Sequence, residues 1–367
     1  MSPPQPQPDP APKPRSESWQ HWLRDALTAG GGVWAWGFIL LSIALLAFLL
    51  LPSLAKLKRT LAAPEVVAYV AQDVTYADPL LADFTAQTGI RVRTVFDSEA
   101  VKTVGLANRL LAERQRPQCD VFWGNEELRT RQLAAQGVWR ETNGWAAFGY
   151  RSRRIMINTN FVAPPTADPQ LRPSPSDLRT SASALRPCPR SLDELTNAVW
   201  RGKVALAYPL FGTTPTHLLA LRQHWGADRW EAWCRALAAN QPLIVDGNSV
   251  VARLVARGEA WVGLTDSDDV RVVQRDGAPV LALPLDAESL LIPNTVAVTR
   301  GAPRPEAAQR LFEFLQSPNV IERLIQADAL EGPSLHAAGI PTLQPDWTRL
   351  IADLEPGTAQ LKAIFVR

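Results

Sequence analysis

Residues 65–96 read EVVAYVAQDVTYADPLLADFTAQTGIRVRTVF, and the change of period along this stretch decides the fold class. The first segment, EVVAYVA, is a short β-branched run of the kind that forms a buried strand. YADPLLADFTAQTG follows, with Leu80, Leu81 and Phe84 at helical spacing and Gly89 placed to close the helix. IRVRTVF then alternates apolar and basic residues, the pattern of a half-buried strand. Farther on, VKTVGLANRLLAERQ (101–115) reads as an amphipathic helix and CDVFWG (119–124) as another buried strand. This β-α-β-α-β succession predicts a mostly parallel, doubly wound α/β sheet, whose ligands sit beyond the carboxyl ends of the strands.

The second half repeats the style without a close sequence repeat. KVALAYP (203–209), PLIVDG (242–247) and AWVGLT (260–265) read as strands, and helices are expected from about Thr214 to Trp225, Asp228 to Ala239 and Ser249 to Arg257. A proline- and serine-rich insertion, Ala163 to Pro189, separates the halves and reads as an exposed loop.

The amino-terminal part is of another kind. Residues 1–32 hold a proline-rich polar tail that cannot bury enough apolar surface to order itself. VWAWGFILLSIALLAFLLL, Val33 to Leu51, carries no charge, and as a helix it would be about 28 Å long, close to a bilayer's hydrocarbon core of about 30 Å. Residues 33–52 are therefore expected to form one transmembrane helix, with Trp34 and Trp36 in the interfacial belt and Pro52 ending the run, followed by a linker over 53–63. Lys56, Lys58 and Arg59 on the far side of the span oppose an external body under the positive-inside rule.

Charge excludes one class of partner. Lys plus Arg number 38 against 36 Asp plus Glu, with no basic run, so nucleic acid is not expected. Cys119, Cys188 and Cys234 are too widely spaced for a zinc site and allow at most one disulfide.

The densest chemistry is WVGLTDSDDV, Trp261 to Val270, where Asp266, Asp268 and Asp269 crowd into four positions after an apolar strand. At about 6 Å and an effective dielectric near 20, each pair of charges would cost roughly 3 kcal/mol. Water, basic neighbours, helix N-termini or a bound cation must offset that repulsion. The blander reading is a solvent-facing cap on the next helix.

Several motifs in order, from about Val66 to Ala327, resemble the ferric-iron type of extracellular solute-binding proteins of ABC importers. They are residues 66–100, RPQCDVFWGNEE (116–127), YPLFGTTPTH (208–217), DGNSVVARLVARGEAWVGLTDSDD (246–269) and LLIPNTVAV (290–298). The resemblance implies a two-lobed periplasmic-binding-protein-like fold of type II, closing on ligand. Lobe one would hold residues 64–157 and 291–345, lobe two 158–290, with a carboxyl-terminal segment over 346–367. Crossover strands are implied at Ile155–Thr159 and Leu291–Val298, and RPEAAQRLFEFLQSP would pack on lobe one. A synergistic anion such as phosphate or carbonate would bind at Gly212, Thr213 and Thr214, with Asn248 and Ser249 opening the next helix as further donors. Asp266, Asp268 and Asp269 would hold iron or another hard cation, faced from lobe one by Gln72, Asp73, Glu99, Asn125, Glu126 and Glu127. Relatives carry an adjacent tyrosine pair at the aspartate position. Here the four tyrosines, Tyr69, Tyr76, Tyr150 and Tyr208, include no such pair. The implied partners are ABC permease and ATPase subunits, a small ligand and, through the helix, the membrane, with the body periplasmic or extracellular.

Two alternatives stand beside this reading. A membrane-tethered ligand sensor would use the same parts, but the tail before Val33 carries no signalling domain. A metal-dependent phosphoester hydrolase lacks a nucleophile, since His217 and His224 have no companion acid or serine motif. The expected topology is checked on intact cells or spheroplasts: protease added outside digests the body beyond Pro64 and spares the tail. A body that survives until the membrane is broken rules out transport binding.

Overall fold

The computed structural model describes residues 37–48, 64–97, 102–165, 185–335 and 341–366. Residues 37–48 form a helix whose apolar side chains, among them Phe38, Leu41 and Phe48, are exposed. No helix among the described residues is long and apolar enough to cross a membrane. The expected span over 33–52 lies largely outside the described residues, as do the tail, the linker, Glu99 and positions 166–184 of the insertion. The amino-terminal 63 residues form a unit separate from Pro64–Arg367.

In the larger unit the opening stretch folds as its periods dictate. Strand β1 (Glu65–Val70) leads into helix α1 (Val74–Thr88), which buries Tyr76, Ala77, Leu80, Leu81 and Phe84. Gly89 ends the helix at φ 70°, a left-handed conformation open to glycine, and returns its amide to the Thr85 carbonyl. Strand β2 (Arg91–Val95), helix α2 (Lys102–Ala112), strand β3 (Val121–Gly124) and helix α3 (Glu127–Ala135) complete the first half. The long strand β4 (Trp145–Asn158) follows, then β5 (Val204–Ala207), α4 (Thr213–Trp225), α5 (Ala227–Ala239), β6 (Leu243–Val245) and α6 (Asn248–Ala256). Strand β7 (Val262–Asp266), α7 (Ser267–Arg275), β8 (Val280–Ala282), β9 (Leu290–Val298), α8 (Pro305–Leu315), α9 (Pro318–Gln326) and α10 (Trp347–Phe365) close the chain.

One sheet runs in the order β2-β1-β3-β9-β4-β7-β5-β6, with β8 beside β4. β2, β1 and β3 are parallel at one end, and β7, β5 and β6 are parallel at the other. Between them β9 and β4 are antiparallel to each other and to their outer neighbours. β4 is longer than the implied crossover at 155–159: it starts at Trp145, pairs with β9 through Arg153, and pairs with β7 from Arg153 onward. A register shift between Phe148 and Arg151 interrupts its ladder with β9.

α8 packs on β9, β1 and β3, as the amphipathic pattern of RPEAAQRLFEFLQSP implies, burying Ala308, Leu311, Phe312 and Leu315. α10, capped by the Asp346 carboxylate on the amides of Thr348 and Arg349, packs on α4, α5 and α3. Its Leu350, Leu354, Leu361 and Ile364 share a core with Leu128, Leu219 and Trp233. Cys119 and Cys234 are buried thiols.

Gly263 in β7 marks the closest approach of sheet and helix. A Cβ there would stand 2.7 Å from Val251 Cγ1 and 3.0 Å from Val255 Cγ2, both on stiff β-branched side chains of α6. Gly263→Ala is therefore expected to lower stability by about 1–3 kcal/mol in urea or thermal melts, the usual cost of overpacking.

Candidate functional site

Strands β3, β5, β6 and β7 all end at one cleft, where the turns that follow them place polar groups. β7 delivers Asp266, the N-cap residue of α7, and Asp268 and Asp269 fall in that helix's first turn. From the first half come Asp73, the N-cap residue of α1, and Asn125 after β3, which accepts a hydrogen bond from Thr103 Oγ1 at 2.9 Å. Gly212 and Asn248 bring the N-termini of α4 and α6 to the same space. The enclosed volume is about 60 Å3, room for a few water-sized groups.

Asp266 is buried and answers the question of repulsion. Arg153 Nη1 donates to its Oδ1 at 2.9 Å, and Arg151 donates through Nε and Nη2 to its Oδ2 at 3.2 Å each. Thr213 Oγ1 lies 2.9 Å from both carboxylate oxygens, and Asn248 Nδ2 donates to Oδ2 at 3.2 Å. Asn248 Oδ1 in turn accepts from Arg153 Nη1 at 2.6 Å. Burial would raise the Asp266 carboxyl, but Arg153 and Arg151 outweigh it and hold the group below the ordinary range. Basic neighbours thus neutralise the first aspartate.

Asp268 and Asp269 are not neutralised in the same way. Asp268 Oδ1 lies 3.5 Å from Arg151 Nε and, though buried, has no hydrogen-bond partner among the described residues. Burial pushes Asp268 up from 3.8 to about 7; Arg151 opposes the rise, and the Asp266 and Asp73 charges add to it. Burial, with Asp268 and Asp266 beside it, raises Asp269 well above the ordinary value. Each of the three aspartates offers one oxygen within 4.8 Å of the others, a spacing that lets one cation touch all three.

The cleft therefore brings together Asp73, Asn125, Gly212, Thr213, Asn248, Asp266, Asp268 and Asp269. Four other residues named from the sequence do not line it. Glu126 is the N-cap of α3, and its carboxylate accepts from the amides of Leu128 at 2.8 Å and Arg129 at 3.1 Å. Burial raises that carboxyl to about 7. Gln72 and Thr214 are buried beside the cleft, with Gln72 Nε2 and Thr214 Oγ1 unpartnered among the described residues, and Ser249 lies in the first turn of α6. Glu127 pairs with Arg131 on its own helix.

Sequence reasoning missed Arg151 and Arg153. Their signal is YRSRR (150–154): charges at alternate positions of a strand share one face, and this strand pairs Arg153 with Asp266. It also missed Tyr208 and Phe211, which stack at 5.6 Å and form an aromatic wall.

A family model, bacterial extracellular solute-binding protein, matches residues 66–327. No curated relative matches the chain. Among solved structures, iron-bound HitA from Pseudomonas aeruginosa is similar at 17% identity and a TM-score of 0.62, covering 82% of this chain and 99% of that one. AfuA from Actinobacillus pleuropneumoniae, a periplasmic binding protein with fructose-6-phosphate bound, reaches 16% identity and a TM-score of 0.67 over 83% of this chain and 99% of its own. A Trichodesmium protein (IdiA, FutA) in complex with iron and citrate is 18% identical with a TM-score of 0.60, over 83% and 100%. These likenesses give the two-lobed α/β periplasmic-binding-protein fold. With the family model spanning most of the chain, the conclusion is that this protein belongs to the bacterial extracellular solute-binding proteins.

Proposed function

We propose that this protein captures a hard metal ion, iron foremost, together with a small anion, and delivers it to the permease and ATPase subunits of an ABC importer. The observation that carries the reading is the buried Asp268 carboxylate, with an oxygen that lacks a hydrogen-bond partner, beside Asp269 and Asp73 at the cleft. Carboxylates raised by burial and by one another lose that cost when a cation replaces the proton. Asp268, Asp269 and Asp73 hold the ion in this account, while Asp266 anchors the arginines. The anion sits at the N-termini of α4 and α6, where Gly212, Thr213 and Asn248 present donors and Arg151 adds charge. Similarity to proteins bound to iron, and to iron with citrate, supports the choice of metal.

A second reading has its own observation. The same two helix N-termini with Arg151 suit a phosphorylated solute, and AfuA holds a sugar phosphate. The cavity of about 60 Å3 favours the smaller ion pair. The role is binding and release: ligand that bridges both halves favours the closed form. An anchor over residues 33–52, supported by their uncharged sequence and by the exposed apolar side chains of the helix over 37–48, keeps the body beside its permease outside the cytoplasm.

pH separates the metal reading from the other. Asp268 keeps its proton up to about 7, so cation affinity rises as pH climbs through that value and levels off above it. The stability of the empty protein runs the opposite way. Between 3.8 and about 7 the folded state binds the proton and the unfolded state does not, so stability falls as pH rises across that window. Asp268→Asn is expected to flatten both profiles, to weaken binding at pH 8 and to leave the empty protein more stable there. Thermal melts with ferric, ferrous, manganese, zinc and calcium ions, each with and without phosphate or carbonate, read the outcome. No shift with any metal, together with a shift from a sugar phosphate alone, selects the second reading.

A further inference from the structure

Arg153 belongs to two sites. Its Nη1 reaches Asn248 and Asp266 of the cleft, while the residue also lines a second cavity of about 260 Å3. Ile155, Leu192, Leu264 and Leu283 supply apolar walls, and His217, one turn beyond Thr213 on α4, supplies a polar one. The two acids at this cavity are already engaged. Glu288 accepts from Trp225 Nε1 and the Leu192 amide at 3.1 Å each, and Asp286 accepts from Ser289 Oγ at 2.8 Å.

Two polar atoms are not engaged. His217 Nε2 lies 2.7 Å from the Glu288 carbonyl oxygen, which can only accept, so Nε2 carries the proton and Nδ1 is left as an acceptor. Burial, with Arg153 nearby, pushes the imidazole down to about 3 and keeps it neutral. His217 Nδ1 and the Arg153 Nε donor both lack a partner among the described residues, in side chains only 2% and 1% exposed. Burying a donor or an acceptor unpaired is costly, so both groups favour a molecule that supplies what they miss. A carboxylate offers acceptors alone and opposes Nδ1. An ammonium offers donors alone and opposes the guanidinium. A hydroxyl does both.

We propose that this cavity is a second ligand site, separate from the transport cleft, that takes a small, neutral, apolar molecule bearing one hydroxyl group. The hydroxyl donates to His217 Nδ1 and accepts from Arg153 Nε, while its apolar body lies against Ile155, Leu192, Leu264 and Leu283. This goes beyond the transport reading and does not rest on it.

The test titrates the full chain with 2-phenylethanol, propylbenzene and phenylacetate by ligand-observed NMR. The alcohol is expected to bind about tenfold more tightly than propylbenzene, which carries a methyl in place of the hydroxyl, and phenylacetate more weakly than the alcohol. Leu283→Trp, which fills the cavity, abolishes binding of the alcohol while the protein still melts cooperatively. His217→Phe serves as a second variant: it removes the acceptor and brings the alcohol and propylbenzene to equal affinity. Equal affinities for the unaltered chain would mean that a trapped water meets both groups, and the proposal fails. It fails equally if no probe binds, or if binding survives both substitutions.

Discussion

The buried contact of Asp266 with Arg151 and Arg153 is the constraint around which the site is organised. Two guanidinium groups in side chains at most 3% exposed cannot remain without a counter-charge, and a single carboxylate, helped by Thr213 and Asn248, serves them both. The pairing joins β4 to the end of β7 and, through Thr213 and Asn248, to the first residues of α4 and α6. Four elements are thereby held in register at the point where ligand must bind. Removing one partner of such a buried pair typically costs about 3–5 kcal/mol, far more than an exposed ion pair is worth. The surplus acid, Asp268 with Asp269 and Asp73, is left on the cleft side of this knot.

A division of labour follows among residues of one chemical type. Asp266 is charged, satisfied and structural; Asp268, two positions on, is buried with an oxygen unpartnered and holds its proton to about neutral pH. Distance from the arginines makes the difference. Arg153 Nη1 stands 2.9 Å from Asp266, whereas the nearest basic nitrogen to Asp268 is Arg151 Nε at 3.5 Å. In a buried environment that gap changes a fully paired anion into a group that favours protonation or a cation.

The architecture was legible in the sequence because its evidence is local. Alternation, helical spacing and closing glycines lie within a few residues of one another, so EVVAYVA, YADPLLADFTAQTG and RPEAAQRLFEFLQSP fold as their periods require. The acid cluster was legible for the same reason. Its neutralisation was not, because Arg153 and Asp266 are 113 positions apart in sequence and meet only through the pairing of β4 with β7. Glu126 misleads from the opposite side: in WGNEE it looks like one more cleft acid, yet its position just before a helix makes it the acceptor for that helix's free amides.

Strand order also governs when in its life the chain can fold. β9 lies between β3 and β4, so the sheet has a gap at its centre until residue 298 has been made, and the core around α4 and α5 stays open until α10 arrives at the very end. A growing chain therefore has no complete half to settle into while it is being synthesised, since the contacts that close each half span most of its length. Such a topology postpones folding to the finished polypeptide. For a protein whose family works outside the cytoplasm, late folding keeps the chain threadable through an export channel until it has reached the far side.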